Sequence, residues 1–149
     1  MATRVRTLCA IACATIALAV PARARAASCS FSSSGIAFGV YDPMSATAVQ
    51  GTGSIDYHCS AGTWAIITIN GGSANNVNAR RMVSGPERLA YNVFKYANFS
   101  GVWGDNWATG LWTGLDKRGS VPVYGGIPPQ QDVAAGNYID TLTITIVFW

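Results

Sequence analysis

The chain has 149 residues, half of them apolar and only 11% charged, which excludes a disordered tail and leaves room for one domain plus a processed segment. The formal charge of +3 misleads, because Arg4, Arg6, Arg23 and Arg25 fall within the first 26 positions. Beyond them six basic residues face seven acidic ones, a balance with no electrostatic footprint for nucleic acid or an anionic lipid surface.

Residues 1–26 have the three parts of a secretory signal peptide. Arg4 and Arg6 open it, Thr7 to Val20 form an apolar run of 14 residues, and Pro21 precedes the small-residue stretch ending Ala24-Arg25-Ala26. The run falls short of the about 20 residues that span a bilayer, so a retained anchor is the weaker reading. A lipoprotein at Cys29 is weaker too, because Ala26 stands where Leu is usual. The expected division is a signal peptide over 1–26 and one exported domain over 27–149.

Cys9 and Cys13 leave with the signal, and the pair that remains, Cys29 and Cys59, is expected to form one disulfide in an exported chain. Closing a loop of about 30 residues stabilises a fold by roughly 3–4 kcal/mol in the chain-entropy model. A lone histidine, His58, cannot build a histidine-based metal cluster, so neither a metal nor a cofactor is expected.

The domain reads as all-β. No stretch of a dozen residues carries a 3.6-residue apolar period free of Gly or Pro. Gly53–Ser60 alternates Ile55, Tyr57 and Cys59 with polar residues and predicts a half-buried strand. Thr63–Asn70 predicts a second, covered on both faces, and Asn70-Gly71-Gly72 ends it with turn chemistry. Glu87–Tyr96 is read as one strand with Leu89, Tyr91 and Val93 on one face, and Ser120–Ile127 as a short strand stopped by Pro128-Pro129. From Tyr138 to Trp149, Leu142, Ile144, Ile146 and Phe148 alternate with Thr141, Thr143 and Thr145. Short strands with Gly-rich turns argue for an antiparallel sandwich. Its final strand is either tucked inside or left as an edge that needs a partner.

Several stations of the chain resemble the spore coat U domains, the secreted pilin-like proteins of archaic chaperone–usher systems. They are Cys29, Ile36–Pro43 (IAFGVYDP), Gly51-Thr52-Gly53, Cys59, Arg81-Met82, Leu89–Val93 (LAYNV), Trp103-Gly104-Asp105, Val123–Pro128 (VYGGIP) with Gln131, and Gly136–Thr141 (GNYIDT). They come in the family's order over essentially the whole of 27–149. The resemblance implies an immunoglobulin-like sandwich that lacks one strand, with a partner supplying it. It implies a periplasmic assembly chaperone, an outer-membrane usher and other pilin subunits as partners. The implied location is the periplasm in transit, then a fimbrium on the cell surface or the medium. By the same resemblance Leu142, Ile144, Ile146 and Phe148 line the acceptor groove, pairing runs along Thr141–Trp149, and the role is surface attachment or biofilm formation. Polymerising members carry a donor extension before the first cysteine, whereas only Ala27 and Ser28 precede Cys29 here. A subunit that accepts a strand but does not donate one from its N-terminus is the expectation.

Phe99–Leu115 packs Trp103, Trp107 and Trp112 between glycines and is read as a mobile loop. Trp103 belongs to a family station and is expected to be structural. Trp107 and Trp112 are the candidates for exposure and for binding a glycan or an abiotic surface. They motivate the alternative function, a self-complete secreted β-sandwich carbohydrate- or surface-binding module. No catalytic residue is expected. Asp105 and Asp116 sit in ordinary turn sequences, and Ser28–Ser34 holds no nucleophile elbow. Arg80 and Arg81 are expected as a solvated or hydrogen-bonding pair at a strand end.

Overall fold

The computed structural model describes residues 27–149; the signal-peptide reading of residues 1–26 lies outside them. Nine strands follow in chain order: β1 Cys29–Ser33, β2 Val49–Cys59, β3 Thr63–Ile69, β4 Arg81–Ser84, β5 Glu87–Ala90, β6 Asn92–Phe94, β7 Leu111–Leu115, β8 Arg118–Ile127 and β9 Ile144–Phe148. All the pairings are antiparallel. One sheet runs β1-β2-β8-β6, the second β7-β3-β9, and β4-β5 form a hairpin.

The two sheets face each other over a core made by the alternation read from the sequence. Ile55 and Cys59 on β2 and Val121, Val123 and Ile127 on β8 meet Ala65, Ile67 and Ile69 on β3. Leu89, Tyr91 and Val93 all fall on the buried side, as their spacing required. Trp103 is fully buried, and its indole N–H donates to the Ile67 carbonyl at 2.8 Å. Cys29 and Cys59 stand directly opposite in the β1–β2 ladder and form the expected disulfide.

Four expectations give way to tertiary context. Glu87–Tyr96 is two strands: β5 pairs with β4, β6 pairs with β8, and Tyr91 marks the passage between them. Phe99–Leu115 is no open loop throughout, because Leu111–Leu115 pairs with β3 as β7. The Tyr138–Trp149 run also divides, since Ile139 bridges to Val83 of β4 and only Ile144–Phe148 joins β3. Arg80 and Arg81, expected as a solvated or hydrogen-bonding pair, do not act as a pair: Arg81 is exposed, whereas Arg80 has no exposed surface and is the hydrogen-bonding member.

Arg80 solves its burial with hydrogen bonds to carbonyls. Nε donates to Asn70 O (2.9 Å), Nη2 to Ile69 O (2.8 Å) and Trp103 O (2.6 Å), and Nη1 to Val77 O (3.2 Å) and Asn92 Oδ1 (2.7 Å). The side chain thereby satisfies carbonyls left over where β3 ends. Burial pulls its pKa down, while the field of Tyr91, Asp105 and Asp140 opposes that shift.

Candidate strand-acceptor site

In a constant-type immunoglobulin sandwich one sheet carries strands A, B, E and D and the other C, F and G. Here β1, β2, β8 and β6 take the first set of places, and β3 and β9 take those of C and F. β7 lies on the far side of β3, so among the described residues no strand occupies the place of G beside β9.

The parity of the ladder says which groups of β9 face that open side. Asn70 N donates to Thr143 O at 3.1 Å and Trp149 N to Trp64 O at 3.2 Å, so the main chain of Thr143 and Trp149 points toward β3. Antiparallel bonding alternates along a strand, which places Thr145 and Val147 on that same side. The amides and carbonyls of Ile144, Ile146 and Phe148 are left facing outward from the sheet edge. No charged residue lies anywhere in Thr141–Trp149, although edge strands are ordinarily guarded by charge or proline.

Beside this edge the sandwich opens into an apolar cleft of about 270 Å³. Leu142 and Ile144 of the last segment line it, together with Ile36, Phe38, Ile69, Val123 and Tyr91. The chain at Gly35 and Ile36 can pass close over β2 because Gly53 has no side chain: a Cβ there would collide with the Gly35 carbonyl.

Of the four residues expected to line an acceptor groove, Leu142 and Ile144 line this cleft. Ile146 and Phe148 are half-buried further along the same inner face, with Phe148 meeting Phe31 of β1 at 5.9 Å between centroids.

A polar anchor holds the start of the last segment. Asp140 Oδ1 accepts from Ser73 N and Thr141 N, both at 2.9 Å, and Oδ2 accepts from the Tyr91 hydroxyl at 2.8 Å. Burial, and after it the bond to Asp140, push the Tyr91 phenol far above its ordinary range. Gln131 serves the neighbouring loop: its amide nitrogen donates to Ala90 O (2.9 Å) and its amide oxygen accepts from Ala90 N (2.7 Å). The Gln131 main-chain N–H donates to the Tyr41 hydroxyl at 2.8 Å. The sequence marked Asp140 and Gln131 only as stations of a resemblance; apart from Thr141, the partners of these residues lie 41 to 90 positions away.

Trp107 and Trp112 are exposed as expected, at 58% and 50%, with ring centroids 5.3 Å apart. The structure adds a member that the sequence reading left out. Trp149, 59% exposed, lies 5.8 Å from Trp112. Its signal was present in the alternation, because Trp149 and Val147 share the phase of the threonines and not that of Leu142 and Phe148. Among the described residues no group of His, Cys, Asp or Glu is placed to hold a metal ion.

These features define a class: an immunoglobulin-like sandwich whose last strand, among the described residues, is paired on one side only and lies beside an open cleft. The family profile of the Spore Coat Protein U domain matches residues 14–145, and the chain belongs to that family. It is 36% identical over 125 residues to Protein U of Myxococcus xanthus, covering 74% of this chain and 70% of that one. Its fold is similar to a chain in the CsuC–CsuE chaperone–tip adhesion subunit pre-assembly complex, from the archaic chaperone–usher Csu pili of Acinetobacter baumannii. The TM-score is 0.54 and the identity 23%, over 81% of this chain. The match spans only 39% of that longer chain.

Proposed function

We propose that this protein is an exported, non-enzymatic pilin-like subunit whose sandwich is completed by a β-strand from a partner. The observation that carries the reading is the unguarded edge of β9 beside the apolar cleft. An added strand pairs with the outward amides and carbonyls of Ile144, Ile146 and Phe148, and its alternate side chains enter the cleft beside Leu142 and Ile144. A periplasmic chaperone supplies the strand first and another subunit replaces it at the outer-membrane usher. The fold's likeness to a chain of a chaperone–subunit complex supports partners of this kind. Surface attachment or biofilm formation is the role of the assembled structure.

The test is to export the full chain to a periplasm without a cognate chaperone and follow it by size-exclusion chromatography and thermal melting. Aggregation or proteolysis, rescued by a family chaperone or by a peptide of alternating apolar residues, is expected. A soluble monomer with one cooperative melt and no affinity for such peptides refutes the proposal. The exposure of Trp107 and Trp112 favours a second reading, a self-complete module that binds glycans or abiotic surfaces. It requires glycan or surface binding that Trp107→Ala and Trp112→Ala abolish.

A further inference from the structure

The outer face of the β7-β3-β9 sheet is organised in rows that run toward the open edge. Trp112 is the register partner of Ile66, and Ile66 that of Val147, so these three residues form one cross-strand row. The next row continues from Gly114 through Trp64 to Trp149. On the other side lies a polar row in which Thr68 is the partner of Thr145.

Ile66 shows what the apolar row does. It points away from the core between the sheets, yet it is only 1% exposed. Its neighbours across both ladders, Trp112 and Val147, flank it on this outer face. The row stops at Val147, 44% exposed on the last paired strand.

A strand added to β9 sets one of its outward side chains directly beside Val147, at the close spacing of cross-strand neighbours. We propose that this outer face is part of the strand-acceptor site. The partner strand is read on both of its faces, and the residue it places beside Val147 is a large apolar one that extends the row Trp112–Ile66–Val147. The occupant is thus an extended segment of an assembly partner whose alternation is broken at that point, apolar outward as well as inward. Opposite Thr145 the same strand carries no such requirement.

The geometry favours a strand over a sugar. The rings of Trp107, Trp112 and Trp149 are tilted against one another by 58° and 72°, so they present no flat platform for stacking. The rows that hold Trp112 and Trp149 both end at β9, on the edge where a strand is added. The inference rests on the strand-addition reading above.

The test uses the full exported chain, recovered with a displaceable peptide. Peptides share one alternating inward face and carry serine at every outward position, except for a single isoleucine moved along the series. One outward position, or two adjacent outward ones beside Val147 and Trp149, is expected to tighten binding about tenfold. That gain disappears in Val147→Ser and falls in Trp112→Ala, while the all-serine peptide binds these variants and the parent equally. Equal affinity at every isoleucine position overturns the inference and leaves strand addition standing. Glycan binding abolished by Trp112→Ala, with peptide affinities unchanged, overturns it as well. Failure of every peptide to bind refutes strand addition and the inference together.

Discussion

Arg80 and Tyr91 carry the polar burden of this domain at the scale of single residues. Arg80 ends five hydrogen bonds on Asn70, Ile69, Trp103, Val77 and Asn92. Arg80→Met keeps much of the volume but strips several carbonyls of their donor, each worth about 1–3 kcal/mol when buried. A loss of at least about 3 kcal/mol is expected in urea unfolding. Arg80→Lys recovers little of it, because an ammonium cannot reproduce the planar fork. Tyr91 is held protonated by burial and by Asp140. Above about pH 10 the unfolded tyrosine ionises while the folded one does not. Its contribution is therefore complete below that pH and is lost as pH rises further. Unfolding of Tyr91→Phe is expected to show a shallower alkaline decline than the parent. Tyr91 was legible from its alternation and from a family station, whereas the burial of Arg80 was not, since an arginine with carbonyl partners leaves no mark in hydropathy or charge.

Among the elements, the second half of β2 was legible from its alternation over Gly53–Ser60, and β3 from its apolar run ended by Asn70-Gly71-Gly72. The disulfide that ties the start of β1 to the end of β2 was legible from arithmetic and compartment. Reducing it, or Cys29→Ser with Cys59→Ser, is expected to cost roughly 3–4 kcal/mol, read as a shift of the denaturant midpoint. Glu87–Tyr96 and Tyr138–Trp149 were read as single strands because period two does not change where a chain leaves one partner for another. β7 went unread because glycine and tryptophan dominate Trp107–Gly114 and local propensity is silent there. The crossing of Gly35–Phe38 over β2 has a sharp requirement. Gly53→Val forces the Gly35 carbonyl away, and this variant is expected to lose peptide binding along with stability, measured by titration and thermal melting.

For the whole molecule the open edge sets the behaviour. The parity of β9 makes hydrogen exchange a direct probe. Amides of Val147 and Thr145 face β3 and are expected to be protected in the free chain, whereas those of Ile144, Ile146 and Phe148 exchange quickly. Addition of a donor peptide is expected to protect the second set and to raise the melting temperature with peptide concentration, as linkage requires. Protection spread evenly over both sets in the free chain would show that the edge is already paired.

The sequence by itself determined the all-β class, the disulfide, the family and the inner face of the last strand. Those properties follow from composition, local period and an ordered set of short stations. That β9 is an edge among the described residues, which of its amides face away from β3, and that Trp149 joins Trp107 and Trp112 emerge only in three dimensions. A strand's alternation states which side chains share a face but not which strands lie to its left and right. Neighbours across a sheet are set by how distant segments close the chain, and a row such as Trp112–Ile66–Val147 exists only once β7, β3 and β9 have come together.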